Sequence, residues 1–396
     1  MDTATSQYYD LVARAFRGDV TSKRLQGFLD NTLAQKYNGL NLRGFSWASD
    51  MQLDFTYEQV QKEFGITAMA NYYDLDSPAV PRGAEGATIL TGKIPRMKDV
   101  IYFNEDKYRK QLITERIFGA DSDEAVNAAK EKLFATLDDL IGGHTNSLTY
   151  QRHQMVSAGK LTLTDSNNPK GISGVTFSAG VPAANSKKVS VWRGDAARKW
   201  WTDKGTYATE GAKADVIGDL QDWLEPLLDK GIKGHLEVDA TFLRKVLKHS
   251  SVLKNIALNI WPTGDTSSTS AAAAVLKEDT RKSVFEELLG ISVEAIDSRV
   301  AVEVYDKASK SLKKTEINAF NSDVFVFVPE TIGEVLTVMP ITFESAAATY
   351  GRFYDGRLLV TIQADAVNKC QEFRTEMTSL VVPEAPQYMF YIYPCD

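Results

Sequence analysis

The stretch that decides the fold runs over residues 71–156. Its first part reads NYYDLDSPAVPRGAEGATILTGKIPRMKDVIYFNEDKYRKQL, from Asn71 to Leu112, and is punctuated by glycine and proline. A connection of this length inside a compact domain is usually functional or disordered. The strand-like runs Ala87–Leu90 and Val100–Phe103 favour an ordered ribbon. Because an isolated two-stranded ribbon is marginal in water, we expect this extended arm to pack on another copy of the chain.

A long amphipathic helix is predicted directly after the arm, from Asp121 to Val156. Asp121 or Ser122 can cap its first turn, where the helix dipole also favours the acidic Asp123 and Glu124. Adjacent glycines, Gly142–Gly143, each cost about 1 kcal/mol relative to alanine in a helix. We therefore expect a kink or a break there. The apolar stripe of this helix consists of Val126, Ala129, Leu133, Leu137, Leu140, Ile141, Leu148, Met155 and Val156.

Composition sets the broad class. A chain of 396 residues has room for two or three compact regions. With 45 basic and 52 acidic residues the net charge is −7, which argues against tight wrapping of nucleic acid but allows weak, sequence-blind contact. Two cysteines, Cys370 and Cys395, provide no disulfide framework and no metal quartet. Neither a signal peptide nor a membrane-spanning run is evident, so we expect a soluble, intracellularly made protein without a membrane partner.

The rest of the chain reads as a mixture of helices and strands. Residues 8–37 show helical spacing and are interpreted as an N-terminal arm that packs on neighbours. From Gly211 the pattern alternates between helix and strand. Predicted helices are Ala214–Leu228, Ala240–Lys248 (with Asp239 as N-cap) and Arg281–Leu289, ended by Gly290; Ser267–Ala274 is predicted as a loop. Predicted strands are Phe45–Trp47, Met51–Phe55, Leu161–Thr164, Lys188–Trp192, His235–Val238, Ala301–Tyr305, Glu316–Phe320, Asp323–Val328, Leu358–Gln363 and Tyr388–Tyr393.

No strong catalytic motif is present. The chain lacks GxGxxG, Walker, HExxH, GxSxG and CxxC patterns. Its histidines, His144, His153, His235 and His249, show no ligand spacing, and structural roles are favoured for them. The sequence thus predicts no catalytic residue, no cofactor-binding residue, no metal ligand and no enzyme activity.

Two further groups of residues allow a functional and a structural interpretation. Carboxylates at Asp74, Asp76, Glu105 and Asp106 would suit acid–base catalysis in a cleft, but their turn-like surroundings favour capping. The pair Trp200–Trp201 would suit ligand stacking, but buried anchoring is favoured because each indole buries a large area.

The arm is locally basic. Over residues 82–99 the acidic residues are Glu85 and Asp99, whereas the basic residues are Arg82, Lys93, Arg96 and Lys98. They would contact either phosphate or the acidic surface of a neighbouring copy. Single-strand binders interleave basic and aromatic residues, and the arm does not. We therefore predict that Arg82, Lys93, Arg96 and Lys98 form an inter-subunit contact.

Two quoted runs resemble a known family. These are TGKIPRMKDVIYFNEDKYRKQLITE (Thr91–Glu115) and QRHQMVSAGKLTLT (Gln151–Thr164). They are similar to the lambda-type major capsid proteins of tailed phages, which have the Hong Kong 97-like fold. In that family an extended loop leads into a long spine helix, which ends in a Gly-Lys turn and a strand. Gly159–Lys160 and Leu161–Thr164 match that ending.

The resemblance implies an α+β fold with the domain layout of that family. It consists of an N-terminal arm and the start of the peripheral domain (1–70), an extended loop (71–112), the peripheral domain with the spine helix (113–210), an axial domain (211–340) and a return to the peripheral domain (341–396). Two departures are visible. The polar stretch Asp165–Lys187 is longer than the family pattern, and no scaffold-like N-terminal extension is seen, which favours a separate scaffolding protein. A crosslinking Lys–Asn pair is not assigned.

The resemblance also implies a function. The chain would self-assemble, through hexamers and pentamers, into the icosahedral head that encloses the double-stranded DNA of a tailed phage or prophage. Its implied partners are further copies, portal and scaffolding proteins, optionally a decoration protein, and DNA bound non-specifically. It would be located in the virion capsid after assembly in the host cytoplasm. Two alternatives stay open from sequence: an encapsulin-like nanocompartment shell protein and a carboxylate-dependent hydrolase.

Overall fold

A computed structural model provides the fold. The residues that it describes are 11, 15–16, 21–37, 42–62, 87–118, 122–262, 266–306, 311–342, 348–365 and 370–395. No helix in these ranges is both long enough and apolar enough to cross a membrane. By their mutual contacts the residues divide into two units: unit 1 comprises Met1–Tyr57, Gly92–Thr149 and Val335–Val381, and unit 2 comprises Glu58–Thr91, Tyr150–Glu334 and Val382–Asp396.

The described elements are as follows. The helices are α1 (Ser22–Phe28), which continues through a π-helical turn (Leu29–Leu33) into α2 (Ala34–Tyr37), α3 (Glu105–Phe118), α4 (Asp123–Ala158), α5 (Val189–Arg193), α6 (Val216–Leu228), α7 (Ala240–Val246), α8 (Ser250–Ile260), α9 (Thr266–Val275) and α10 (Glu278–Leu289). The strands are β1 (Phe45–Trp47), β2 (Thr56–Lys62), β3 (Ala87–Lys93), β4 (Arg96–Phe103), β5 (Lys160–Leu163), β6 (Val175–Ser178), β7 (Ser186–Lys188), β8 (Gly234–Asp239), β9 (Val293–Ile296), β10 (Arg299–Asp306), β11 (Ser311–Asn318), β12 (Phe325–Pro329), β13 (Gly333–Thr337), β14 (Ala348–Phe353), β15 (Leu358–Asp365), β16 (Cys370–Pro383) and β17 (Phe390–Tyr393).

Unit 1 is built on one sheet. Its strand order is β1-β13-β16-β15-β14, and β4 also pairs with β16. The long strand β16 is antiparallel to β15 on one side and to β4 on the other. Apolar residues from the N-terminal helices are fully buried in this unit, among them Leu25, Leu29 and Leu33. They lie against β14, where the Gln26 amide donates to the Arg352 carbonyl at 2.8 Å. Residues 22–37 therefore pack on their own chain, which corrects the expectation that the whole N-terminal segment packs on neighbours.

The predicted long helix is present as α4, and its N-cap is Ser122, whose hydroxyl accepts from the Ala125 N–H at 3.2 Å. The expected break at Gly142–Gly143 is absent, because α4 is continuous from Asp123 to Ala158. A Cβ at residue 142 would lie 3.1 Å from the Tyr37 hydroxyl, and one at residue 143 would lie 3.3 Å from Asp99 Oδ2. The two glycines thus allow close approach of neighbouring side chains instead of breaking the helix.

Unit 2 contains a five-stranded sheet and most of the helices. The strand order is β7-β17-β12-β8-β9, with parallel pairing at β17–β7 and β8–β9 and antiparallel pairing between the others. Side chains from α6, α7, α8 and α10 pack with those of β8 and β12 in one apolar core. Aromatic rings lie at its centre, where Trp200 and Phe242 each contact Phe325 with ring centroids 5.8 Å apart. The predicted burial of Trp200 and Trp201 is confirmed.

Most predicted elements are present, but three differ. Met51–Phe55 was predicted as a strand, whereas the structure has bends there with an isolated bridge between Gln52 and Val338, and β2 begins only at Thr56. Lys188–Trp192 was predicted as a strand, whereas α5 begins at Val189 and ends at Gly194 in the left-handed conformation. Residues 267–274 were predicted as a loop and lie in helix α9, because a run of alanines has the highest helix propensity. The last strand, β17, pairs with β12 and β7 in unit 2.

Candidate assembly surface

Strand β3 of the extended arm pairs with β2, which precedes the arm in the chain, and the two form a two-stranded ribbon. The base of this ribbon is tightly packed. Tyr57 on β2 is buried, and a Cβ at residue 92 would lie 2.7 Å from its Cε1 atom, so only glycine fits opposite the ring. The Ile94 N–H donates to the Phe55 carbonyl at 2.7 Å. The base of the ribbon is therefore held by close packing, and residues 63–86 lie outside the described ranges.

The four basic residues predicted for inter-subunit contact lie in different surroundings. Arg82 is outside the described residues. Lys93, at the end of β3, is exposed, and no described carboxylate lies within ion-pair distance of it. Arg96 forms an ion pair with Glu376, and the Lys98 ammonium lies 3.7 Å from the same carboxylate. Lys93 is thus the described member of the set that stays available for a neighbour.

The second half of the arm belongs to the chain's own sheet. β4 pairs with β16 along its length, from Arg96 opposite Thr378 to Phe103 opposite Gln371. Phe103 is buried, and the Lys132 ammonium of α4 lies over its ring at 5.0 Å. Residues 96–103 of the arm are therefore part of the chain's own sheet.

Exposed apolar side chains in unit 1 were missed by the sequence analysis. On helix α3, Ile113 and Ile117 are 59% and 70% exposed. They are four residues apart, so they share one face of the helix. Leu53 and Phe55, at the start of the ribbon, are also exposed. The i, i+4 isoleucine pair in a helix rich in charged residues was the available signal. Exposed apolar groups of this kind are typical of protein–protein contact surfaces.

The candidate catalytic carboxylates do not form a described acid–base pair. Asp74 and Asp76 lie outside the described residues. Glu105 and Asp106 lie in the first turn of α3, exposed, and each pairs with a basic residue one turn later, Arg109 and Lys110 respectively. These are surface contacts that support a helix.

Three of the histidines are buried and have structural partners. The His144 Nε2 atom lies 2.9 Å from the Thr375 hydroxyl on β16, and burial lowers the pKa of this imidazole to about 4. The His153 ring packs edge-on against Phe320. His249 caps α8, where its Nδ1 accepts from the Ser251 N–H.

The fourth histidine lies beside a buried charge network in unit 2. Arg152 and Glu237, which are 1% and 0% exposed, form a two-pronged ion pair in which Arg152 Nη1 lies 2.6 Å from Glu237 Oε2. His235 Nε2 lies 3.2 Å from Glu237 Oε1. Burial alone would raise the pKa of the Glu237 carboxyl, but hydrogen bonds from His235 and Arg152 and the charge of Arg152 lower it to about 2. The sequence analysis missed this network because its members lie on separate elements.

The described residues thus form an α+β chain with a two-stranded ribbon and with exposed apolar side chains. The chain matches the profile of the family described as Phage major capsid protein E over residues 31–391, and it belongs to that family. No curated protein matches the chain.

Similar solved structures come from phages and prophages. The putative capsid protein of a prophage of E. coli CFT073 is 11% identical, with a TM-score of 0.46 and coverage of 97% of each chain. The capsid protein of Cyanophage P-SCSP1u is 10% identical, with a TM-score of 0.43 and coverage of 90% of this chain and 86% of that one. The mature capsid of bacteriophage PhiM1 is 10% identical, with a TM-score of 0.42 and coverage of 89% and 86%.

The family assignment confirms the sequence prediction of a phage major capsid protein with an α+β fold. The protein is a structural component that forms the shell of a phage capsid, where it is located in the virion.

Proposed function

We propose that this chain builds the icosahedral head of a tailed phage or prophage through hexamers and pentamers, and that the head encloses double-stranded DNA. The observation that carries the proposal is the family match over residues 31–391. Repetition of one chain in closed symmetry requires surfaces that are complementary between copies. Lys93, the ribbon and the exposed apolar groups Ile113 and Ile117 supply such surfaces.

The two units take the roles of the family's domains in this proposal. Unit 1, with most of α4 and the sheet that holds β16, would be the peripheral domain. Unit 2, with the sheet of β8 and β12, would be the axial domain. Residues 382–396 would then belong to the axial domain, which revises the range 341–396 given from sequence.

Among the four basic residues of the arm, we assign the inter-subunit contact to Arg82 and Lys93. Arg82 and Lys93 would dock on an acidic surface of a neighbouring copy, since the whole chain has a net charge of −7. Arg96 and Lys98 share the single carboxylate of Glu376, so part of their interaction is made within their own chain.

The proposed partners follow from the same role. Portal and scaffolding proteins would set the shell geometry, a decoration protein is an optional addition, and assembly would take place in the host cytoplasm. Packaged DNA would be contacted non-specifically, because an acidic shell does not neutralise many phosphates. No enzyme activity is proposed, since the described carboxylates Glu105 and Asp106 pair with basic residues on one helix.

Charge reversal at Lys93 tests the docking contact. Lys93→Glu is compared with Lys160→Glu, which reverses an exposed lysine on β5. Assembly is followed by light scattering over a salt series, and the products are imaged by negative-stain electron microscopy. We expect Lys93→Glu to slow assembly most at low salt, where charges act over about 10 Å or more, and Lys160→Glu to assemble like wild type.

Each outcome of this test has a defined meaning. Wild-type protein that forms no closed shells or capsomers under any salt condition contradicts the head-forming role. Closed particles from Lys93→Glu at the wild-type rate contradict only the docking role of the ribbon lysine. Particles that contain DNA in infected or induced cells support the phage head over a nanocompartment.

A further inference from the structure

Three potential metal ligands share one face of the sheet in unit 2. Strands β8 and β9 are parallel, and Glu237 lies directly opposite Glu294 in their register. His235 precedes Glu237 by two positions, so both point to the same side of β8. The alternating residues Leu236 and Val238 point to the apolar core on the other side.

The donor atoms of these side chains converge. His235 Nε2 lies 3.2 Å from Glu237 Oε1 and 3.9 Å from Glu294 Oε2. One ligand atom from each of the three residues lies within 4.8 Å of the others. Bonds of about 2.0–2.2 Å to a tetrahedral ion place donors roughly 3.5 Å apart. A small movement of the partly exposed Glu294 side chain is enough to complete that geometry.

The charges around the cluster suit a divalent cation. Arg152 holds both oxygens of Glu237 and neutralises one of the two carboxylates. With neutral His235 the group of four side chains therefore carries one net negative charge. Each carboxylate oxygen has a second lone pair, so Glu237 can bind Arg152 and an ion together. A partner of this kind orients a ligating carboxylate from behind.

The surroundings allow entry and supply a further polar group. The His235 and Glu294 side chains are 22% and 39% exposed, so an ion and its water ligands can reach them. Tyr391 and Glu237 both lie opposite Val326 on β12, which places them on the same face. The Tyr391 hydroxyl is buried, and it has no hydrogen-bond partner among the described residues. This face of the sheet therefore holds more polar groups than the Arg152–Glu237 ion pair alone.

We propose that His235, Glu237 and Glu294 bind one divalent transition-metal ion of the zinc type, with water completing its coordination. Imidazole with carboxylates is a donor set that suits zinc, whereas magnesium prefers oxygen ligands alone. The ion joins β8 to β9 and stabilises unit 2. The site is independent of the proposed role in the head, and nothing in the sequence indicated it.

Isothermal titration calorimetry on the full chain, made without a polyhistidine tag, tests the site. We expect one Zn²⁺ to bind per chain at pH 7, with no comparable heat from Mg²⁺, and a rise in the melting temperature with zinc. Zn²⁺ binding is expected to weaken as the pH falls and the imidazole is protonated. His235→Asn is expected to abolish binding, and Glu294→Gln to weaken it by about tenfold or more.

The control variant is Glu225→Gln, which changes an exposed carboxylate on α6 in the same unit. It is expected to bind zinc as wild type does. Circular dichroism establishes that each variant is folded, and Glu294→Gln serves where His235→Asn does not fold. Absence of stoichiometric zinc binding, equal binding of Mg²⁺, or zinc binding that survives both variants overturns the proposal.

Discussion

Removal of Arg152 is the sharpest test of how unit 2 is held together. Arg152 and Glu237 are 1% and 0% exposed, and the pair is fully enclosed. In Arg152→Met, the buried Glu237 carboxylate keeps only the hydrogen bond from His235. Removing one partner of a buried pair costs about 3–5 kcal/mol, because the remaining charge is desolvated without compensation. Since a typical domain is stable by only about 5–15 kcal/mol, this variant is expected to be severely destabilised.

The double variant Arg152→Met/Glu237→Leu provides the matched control. Replacing both charges by apolar groups of similar volume is often neutral or stabilising, so the double variant is expected to recover most of the lost stability. Urea unfolding followed by tryptophan fluorescence is a suitable assay, because Trp200 and Trp201 are buried in the core of unit 2. A loss below about 1 kcal/mol in the single variant, or equal instability of both variants, would refute the reasoning.

The Arg152–Glu237 pair should also make the stability of the protein depend on pH in the acid range. The folded-state pKa of Glu237 is about 2, below the ordinary value of 4.5. The unfolded state therefore binds the proton first as the pH falls, and the stabilisation, complete above pH 4.5, is lost as the pH falls through about 2. In the double variant this part of the acid sensitivity is absent. Unfolding midpoints measured from pH 5 to pH 3 distinguish the two proteins.

Three further predictions concern unit 1. The pKa of His144 is about 4 in the folded state, against an ordinary value of 6.5. Lowering the pH from 7 to 5 should therefore reduce the free energy of unfolding by about 2 kcal/mol. His144→Leu should remove this pH dependence in urea titrations, and a variant with the wild-type pH dependence would contradict the prediction. Gly92→Ala should disrupt the base of the ribbon, because its Cβ would lie 2.7 Å from the Tyr57 ring. Adding Tyr57→Ser to this variant should relieve the clash. The rate of proteolysis at the ribbon measures both effects, and a Gly92→Ala protein as resistant as wild type counts against the packing. Leu133 is fully buried, so Leu133→Ala should lower the free energy of unfolding by about 2–5 kcal/mol in thermal melts. Glu131→Ala, at an exposed position nearby, should change it little. Equal melting temperatures of the two variants would mean that the register of α4 is wrong.

Local signals in the sequence were enough for much of the fold. Residue type alone predicted Asp239 as the cap of α7 and Gly290 as the end of α10. It also predicted that Asp121 or Ser122 caps α4, and the structure shows Ser122 in that role. Caps depend on contacts within a few residues of one another, which is why the sequence reveals them. The apolar stripe containing Leu133 and Leu137 was also readable, because a period of 3.6 residues is a property of the helix itself.

Tertiary structure decided the features that depend on residues far apart in the chain. The sequence predicted a kink or a break at Gly142–Gly143, because it does not show that Tyr37 and Asp99 lie close to these glycines. The basic residues of the arm look like one set in the sequence. In the structure Arg96 and Lys98 share an ion pair with Glu376, which reaches them only through the pairing of β4 with β16.

The same reason explains what the sequence missed in unit 2. His235, Glu237, Glu294 and Arg152 come together because β8 and β9 are parallel neighbours and the C-terminal part of α4 lies over Glu237. A sequence pattern reports periodicity and local caps. It does not report which strands pair, and strand pairing is set by burial of the whole core. The spine helix and the capsid family were therefore predicted from the sequence, while the contacts that pair, bury or expose each charged group were decided only by the tertiary structure.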